Sequence, residues 1–245
     1  MNDSTTNDLV GRPHQGGPPL GVLAAVSLAL LVAGLVTSAA LGGTIPSPFG
    51  SATSIDHFFL AHPGAAKASG TLAFASSVPL AIYAATASAR LRQLGVTAPG
   101  ATIALAGGLL SASALSLSGL LQWTLSRPAV RGDAALVRAL DDLSFLTGGP
   151  AHVVALGLLL AGIAVPALIL GLLPRALAWV GLVIAGVAEL STVVLIWPSL
   201  AVLLPIARFP GLIWLIAAGF LLPHRRPGRE RADRHEPAPG HEALT

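Results

Sequence analysis

The sequence contains no cysteine. Disulfides, thiolate-held zinc, iron–sulfur clusters and cysteine nucleophiles are thereby excluded. Charge is almost as scarce: 10% of the 245 residues are charged, against 53% hydrophobic. A soluble domain carries about 25% charged residues. So small a polar complement cannot cover a water-soluble fold, and lipid is the solvent this chain suits. Also missing are a phosphate loop, a G-x-S-x-G elbow, a dinucleotide fingerprint and an H-E-x-x-H zinc motif. The net charge of +3 is not interleaved with aromatics, so nucleic acid is not an expected partner. Lys67 is the one lysine among 14 basic residues; the preference for Arg, with abundant Ala and Gly, fits a GC-rich bacterial genome.

What the sequence does have is long apolar runs. Six of them fall at about 19–43, 68–89, 100–125, 151–173, 176–197 and 201–222. Each is long enough, at 1.5 Å per helical residue, to cross a hydrocarbon core of about 30 Å. The expected fold class is all-α: a polytopic membrane helical bundle of about six transmembrane helices, with short interfacial helices in two loops. The tails, 1–18 and 223–245, are polar and read as disordered. Ser38-Ala39-Ala40 resembles a signal-cleavage site, but the first run exceeds a signal h-region of about 7–15 residues, so it is expected to remain as a span.

The first loop, 44–66, carries Ser54-Ile55-Asp56-His57-Phe58-Phe59, a short amphipathic helix with Ser54 as its cap and Pro63-Gly64 as its stop. In the second loop, Asp133 is expected to cap a helix through Thr147 that Gly148-Gly149-Pro150 ends. Leu136, Leu140 and Leu143 form its apolar stripe, Arg138 and Asp142 stand i,i+4, and the helix should lie on the bilayer or cap the bundle. Two ridges of small residues are expected to pack together: Ser69, Ala73, Ser77, Ala81 and Ala85 in the second span, and Ala104, Gly108, Ala112 and Ser116 in the third. Such faces also suit a second copy of the chain or another membrane protein. The surrounding partner is the lipid bilayer.

Basic residues set the orientation. Six spans put Arg12, Arg90, Arg92, Arg175 and the five C-terminal arginines on one side. Lys67, Arg127, Arg131 and Arg138 fall on the other. Positive charge favours the cytoplasm, so both termini are expected inside a cell membrane and both loops outside. Interspersed acids dilute any contact between the C-terminal arginines and anionic lipid.

Glu189 and Arg208 interrupt apolar spans. A charge at the bilayer centre costs at least about 2.5–3.5 kcal/mol, so each needs a reason. They lie roughly 12 and 10 Å from the same end of two consecutive helices, and are expected to form an intramembrane ion pair or to line a wet ligand cavity. Pro205 and Pro210 flank Arg208 and free nearby carbonyls. Gln122, Trp123, Asp141, Asp142 and His152 fall at the same end and would surround an outward-facing vestibule. Asp141 and Asp142 point about 100° apart on a helix, which disfavours shared acid–base chemistry. His57 and His62 stand i,i+5, off any one helical face. No catalytic residue, metal or cofactor is expected.

Several phrases carry a resemblance: Val78-Pro79-Leu80-Ala81-Ile82-Tyr83, Leu146-Thr147-Gly148-Gly149-Pro150 with His152, Leu172-Leu173-Pro174-Arg175 with Trp179, and Leu204-Pro205-Ile206-Ala207-Arg208-Phe209. From Ala61 onward the chain resembles a group of small uncharacterised multi-pass membrane proteins common in actinobacteria. The resemblance implies topology and a membrane location, and no catalytic residue. Three functions compete. A structural, regulatory or partner-binding membrane protein leads; it predicts a tight Glu189–Arg208 pair and no cavity. A small-molecule or ion transporter predicts a cavity reaching those residues, although 19–125 and 150–222 share no clear repeat. An outward-facing enzyme predicts His152, Glu189 and an acid of Asp141-Asp142 drawn together.

Overall fold

A computed structural model describes residues 18–42 and 48–223. Both polar tails and the C-terminal arginines lie outside the described residues. The α-helices are α1 (Leu20–Gly42), α2 (Ala52–Ala61), α3 (Pro63–Gln93), α4 (Gly100–Leu125), α5 (Ala134–Leu146), α6 (His152–Leu170), α7 (Arg175–Leu190) and α8 (Leu203–Leu221). A π-helical turn, Thr147–Ala151, joins α5 to α6, and 3-10 turns at Ser191–Leu195 and Pro198–Val202 join α7 to α8. Six of the resulting rods are long and apolar enough to cross a membrane. The chain is an all-α, multi-pass membrane bundle.

The spans pack in chain order and close into a ring. The contacts run from α1 to α3, α4, α6, α7 and α8, and α8 returns to α1. Short connections make consecutive helices antiparallel neighbours. The α6–α7 corner is typical: Gly171 is left-handed at φ +64°, and Leu172 N–H closes on the Ala167 carbonyl at 2.9 Å. Glycine tolerates that conformation, and Pro174 follows it. Tyr83, Leu156, Leu159, Leu160, Ile163 and Leu212, all fully buried, fill one half of the ring. The outer faces present large apolar side chains such as Leu110, Ile169 and Val183, as lipid requires.

Small residues bring the helices close. Helices α3 and α4 approach closely at Gly70 and Gly119, where a Cβ on Gly119 would meet Phe74 N at 2.6 Å and Gly70 O at 2.7 Å. The expected ridges explain only part of this. Ser69, Ala73 and Ser77 are buried, whereas Ala81 is half-buried and Ala85 exposed. A four-residue repeat drifts about 40° per step on a helix of 3.6 residues per turn, so a ridge that long leaves the seam. In α4, Gly108 meets Ala84 of α3, while Ala104 meets Gly162 of α6. The α4 ridge therefore divides between two partners.

Close approach permits hydrogen bonds from side chains to the backbone of the facing helix. Ser27 Oγ donates to the Ser76 carbonyl at 2.9 Å, and Ser76 Oγ donates to the Ser27 carbonyl at 2.8 Å. Ser118 Oγ reaches the Ser144 carbonyl at 2.9 Å, and Ser88 Oγ the Ala101 carbonyl at 2.7 Å. Tyr83 Oη crosses the ring to the Leu215 carbonyl at 3.0 Å, and Trp214 Nε1 reaches the Leu177 carbonyl at 2.8 Å.

Three local expectations change. Ser51, not Ser54, caps α2: its Oγ accepts from Ser54 N at 3.2 Å, and Ser54 occupies the third helical position. Asp133 does cap α5, accepting from Ala135 N and Leu136 N at 3.1 Å each. But Gly148-Gly149-Pro150 does not end that helix. Pro150 has no N–H to donate and would crowd the preceding turn of an α-helix. The widened π turn accommodates it without stopping the rod, so α5 is the entry of the fourth span rather than a separate surface helix. Of its apolar stripe, Leu140 is half-buried and packs against the cluster of Ile55, Phe59 and Val137. Val137, Asp141 and Ser144 are buried, while Leu136 and Leu143 are 42% and 48% exposed. Leu136 and Leu143 face outward, as suits a helix that enters a membrane span.

Gly119→Ala should lower stability by about 1–3 kcal/mol through overpacking. Gly186→Ala, with nothing within 4 Å of its Cβ, should raise it by up to about 1 kcal/mol by helix propensity. Thermal unfolding of both variants in detergent compares the two.

Candidate functional site

A cavity of about 310 Å³ lies inside the ring, in the half toward the C-terminal ends of α1 and α4. Its wall takes Leu31, Gly34 and Leu35 from α1, Ser69 and Ala73 from α3, and Leu115, Ser118 and Gln122 from α4. Asp141, Ser144 and Phe145 come from α5, Gly148 and Gly149 from the π turn, and Leu204, Pro205 and Arg208 from α8. Of the ring helices α1, α3, α4 and α8 contribute, with α5 and the π turn standing where α6 does not reach. Asp141 and Arg208 are the charged residues of this wall.

Arg208 stands five residues into α8, about 7.5 Å along its axis. Its guanidinium donates through Nη2 to the Gly148 carbonyl in the π turn. Its Nε is buried without a hydrogen-bond partner. Asp141 is 7% exposed, and its Oδ2 is likewise buried without a partner. The ion pair found among the described residues is Arg138–Asp142, at 3.0 Å; both of its charges lie within electrostatic range of Asp141 without bonding to it. Arg138 also donates to the Gly50 carbonyl at 2.7 Å, and Phe49 packs edge-on against Phe145 with ring centroids 5.4 Å apart. Pro48-Phe49-Gly50 is thereby held against α5, with Pro48 on the cavity wall. Most other polar groups of the wall are engaged: Ser69 Oγ donates to Gln122 Oε1 at 3.1 Å, and Ser118 and Ser144 bond across to one another.

The expected pairing of Glu189 with Arg208 does not form. Glu189 is exposed on α7, and its Oε1 lies where a Cβ on Gly157 of α6 would come within 2.9 Å. Equal depth for the two residues required regular α-helices up to a tight turn. Instead, Ser191 Oγ and Thr192 Oγ1 draw in the Ala188 and Glu189 carbonyls at 2.6 and 2.8 Å, and the chain winds as 3-10 turns to Val202. A 3-10 turn rotates about 120° per residue rather than 100°. A count of residues from the turn therefore does not fix a shared face.

The vestibule candidates divide. Gln122 and Asp141 line the cavity beside Arg208; Trp123, Asp142, His152 and Glu189 are not on its wall. Trp123 lies at the surface beneath the Arg127 guanidinium, 5.1 Å from its ring centroid. Asp142 is occupied by Arg138. His152 is fully buried behind the cavity and joins α4 to α6. Its Nδ1 lies 3.0 Å from the Ser111 carbonyl and 2.9 Å from Ser111 Oγ, and that Oγ is 3.1 Å from the His152 carbonyl. The His152 ring lies within electrostatic range of Arg208, while its Nε2 has no hydrogen-bond partner. His152 and Glu189 are not on the wall that Asp141 lines, and no ion pair joins His152 to either acid among the described residues.

Sequence reading missed the role of the π turn. The inward residues before it are Val137, Asp141, Ser144 and Gly148; after it they are His152, Leu156, Leu159 and Ile163. Each set follows i, i+4, i+7, i+11, and one extra residue separates the two phases. That residue turns His152 inward and leaves Ala151 exposed. A break of phase at a glycine–proline step was the available signal.

Comparison with family models, with curated proteins and with solved structures finds no match to this chain.

Because Glu189 and Arg208 share no partner, Glu189→Gln should change stability by no more than about 0.5 kcal/mol. Arg208→Gln should cost about 1.5–3 kcal/mol through its lost charged hydrogen bond. The double variant should equal their sum within about 0.5 kcal/mol. A thermal-unfolding double-mutant cycle checks this; a clear coupling energy would restore the pair.

Proposed function

We propose that this protein is a small-solute transporter of permease type in the plasma membrane, with both termini cytoplasmic and the polar cavity facing outward. One observation carries the reading: a cavity among the membrane helices, its wall mostly apolar, holds a carboxyl group and a guanidinium that do not pair with each other. Burying charge among helices is costly, and a protein serving only as a scaffold gains nothing from leaving two such groups unmatched. A solute-accepting site gives both a partner. This favours transport over the structural role, whose expected signs were a tight pair and no cavity.

The remainder of the ring suggests where passage is blocked. A second cavity, about 300 Å³ and apolar, lies at the opposite end between the 95–100 connection and α6. Gly107 against Ala155 and Leu158, together with the Ser111–His152 bonds, closes the α4–α6 seam between the two levels. Transport requires this seam to part, exposing the solute alternately to either side.

The absence of cysteine makes accessibility directly measurable. Ala73→Cys, on the cavity wall, should react in intact cells with a membrane-impermeant, charged methanethiosulfonate. Leu110→Cys, on the lipid face, should not, because thiolate forms only where water reaches. An unreactive Ala73→Cys in a folded protein would remove the wet cavity and the transport reading with it.

A further inference from the structure

The chemistry left open in the wall narrows the solute. We propose that the cavity takes a small zwitterion, its anionic end on Arg208 and its cationic end on Asp141; this rests on the reading of the cavity as a solute site. The two charged residues come from different elements, α8 and α5, and each keeps an unpartnered buried atom, Nε and Oδ2. The Gly148 carbonyl holds one arm of the guanidinium. A guanidinium so anchored retains further donors in a fixed plane, an arrangement that fits a carboxylate. Asp141, when ionised, accepts only, and its neighbour Arg138 is already engaged with Asp142.

Net charge decides between ligand classes. A simple anion would satisfy Arg208 while leaving Asp141 buried, unpaired and repelled by the newcomer. A simple cation would do the converse to Arg208. A molecule bearing both charges matches both groups and adds no net charge to a low-dielectric space, where an unmatched charge costs most. The rest of the wall limits the ligand's body. Leu31, Leu35, Leu115, Phe145 and Leu204 are apolar, and about 310 Å³ is at the small end of ligand cavities. The fit is to a compact amphoteric molecule with a short apolar body, the chemistry of a small neutral amino acid.

The test uses the full chain in lipid nanodiscs and three related probes. L-alanine carries both charges, propionate lacks its ammonium group, and ethylammonium lacks its carboxylate. Glycine, β-alanine and L-valine extend the zwitterions over size and charge separation. Binding is read by calorimetry and by protection of Ala73→Cys from the thiol reagent. At least one zwitterion should bind about tenfold or more tightly than either single-charge probe. Asp141→Asn should reduce that preference by letting propionate compete, and Arg208→Gln should do the same for ethylammonium; a merely structural role for either residue would not exchange specificity. Equal or better binding of a single-charge probe overturns the zwitterion while leaving a solute site. Binding by none of the probes, with Ala73→Cys still reactive, overturns it while leaving a wet cavity. An unreactive Ala73→Cys overturns the underlying reading as well.

Discussion

The bilayer interior holds no water to satisfy a buried polar group, and the ring is built around that constraint. Hydroxyls and a histidine, set where small residues let helices touch, reach the backbone carbonyls of the facing helix. Ser27 with Ser76, Ser118 with Ser144, and Ser111 with His152 each tie two rods through atoms that every residue type carries. Such bonds are individually modest, on the order of 0.6 kcal/mol where measured between membrane helices. Their geometric demand is severe, because a hydroxyl on a short side chain reaches across only when the backbones are close. Gly70, Gly119, Gly107 and Gly162 meet that demand. Packing and polar satisfaction in this fold are one requirement.

Where that requirement is not met, function has room. Serines of the wall are paired, whereas Asp141 and Arg208 keep unpartnered atoms. The contrast lies within a single cavity, so it is not a matter of depth or of general polarity. Helix α7 supplies the opposite case. It carries Glu189 on an exposed face and adds nothing to the cavity wall. A charge inside a hydrophobic run is therefore not evidence of a site until its face is known.

Much of the architecture was legible because hydropathy is a property of composition over many residues. Six apolar runs gave six rods, and Asp133 gave the start of α5. Faces were harder to read. The stripe of Leu136, Leu140 and Leu143 marked an apolar face without saying what it meets: Leu136 and Leu143 are exposed, while Leu140 is half-buried against the cluster of Ile55 and Phe59. Ser191 and Thr192 gave no clear notice of the 3-10 winding that turns Glu189 away from Arg208. The site was read in part for the same reason: Gln122, Asp141 and Arg208 were chosen by level along the bundle, as were Trp123, Asp142, His152 and Glu189, and level does not distinguish inside from outside.

The orientation of α5 and the extra residue of the π turn explain together why the cavity exists. With Leu136 and Leu143 facing outward, α5 turns Val137, Asp141 and Ser144 toward the ring. Val137 is absorbed by an apolar cluster with Ile55, Phe59 and Leu125, and Ser144 by Ser118. Asp141, one turn from each, finds neither kind of partner. At the π turn the phase shifts by one residue, so His152 takes the inward position and ties α6 to α4 instead of continuing the line of Asp141. The Gly148 carbonyl in that same turn receives Arg208. Gly148 and Gly149 lack the side chains that would otherwise fill the wall. A glycine–glycine–proline step that would end a helix in water thus keeps a membrane rod continuous, rotates its inner face and supplies the acceptor that fixes the cavity's cation.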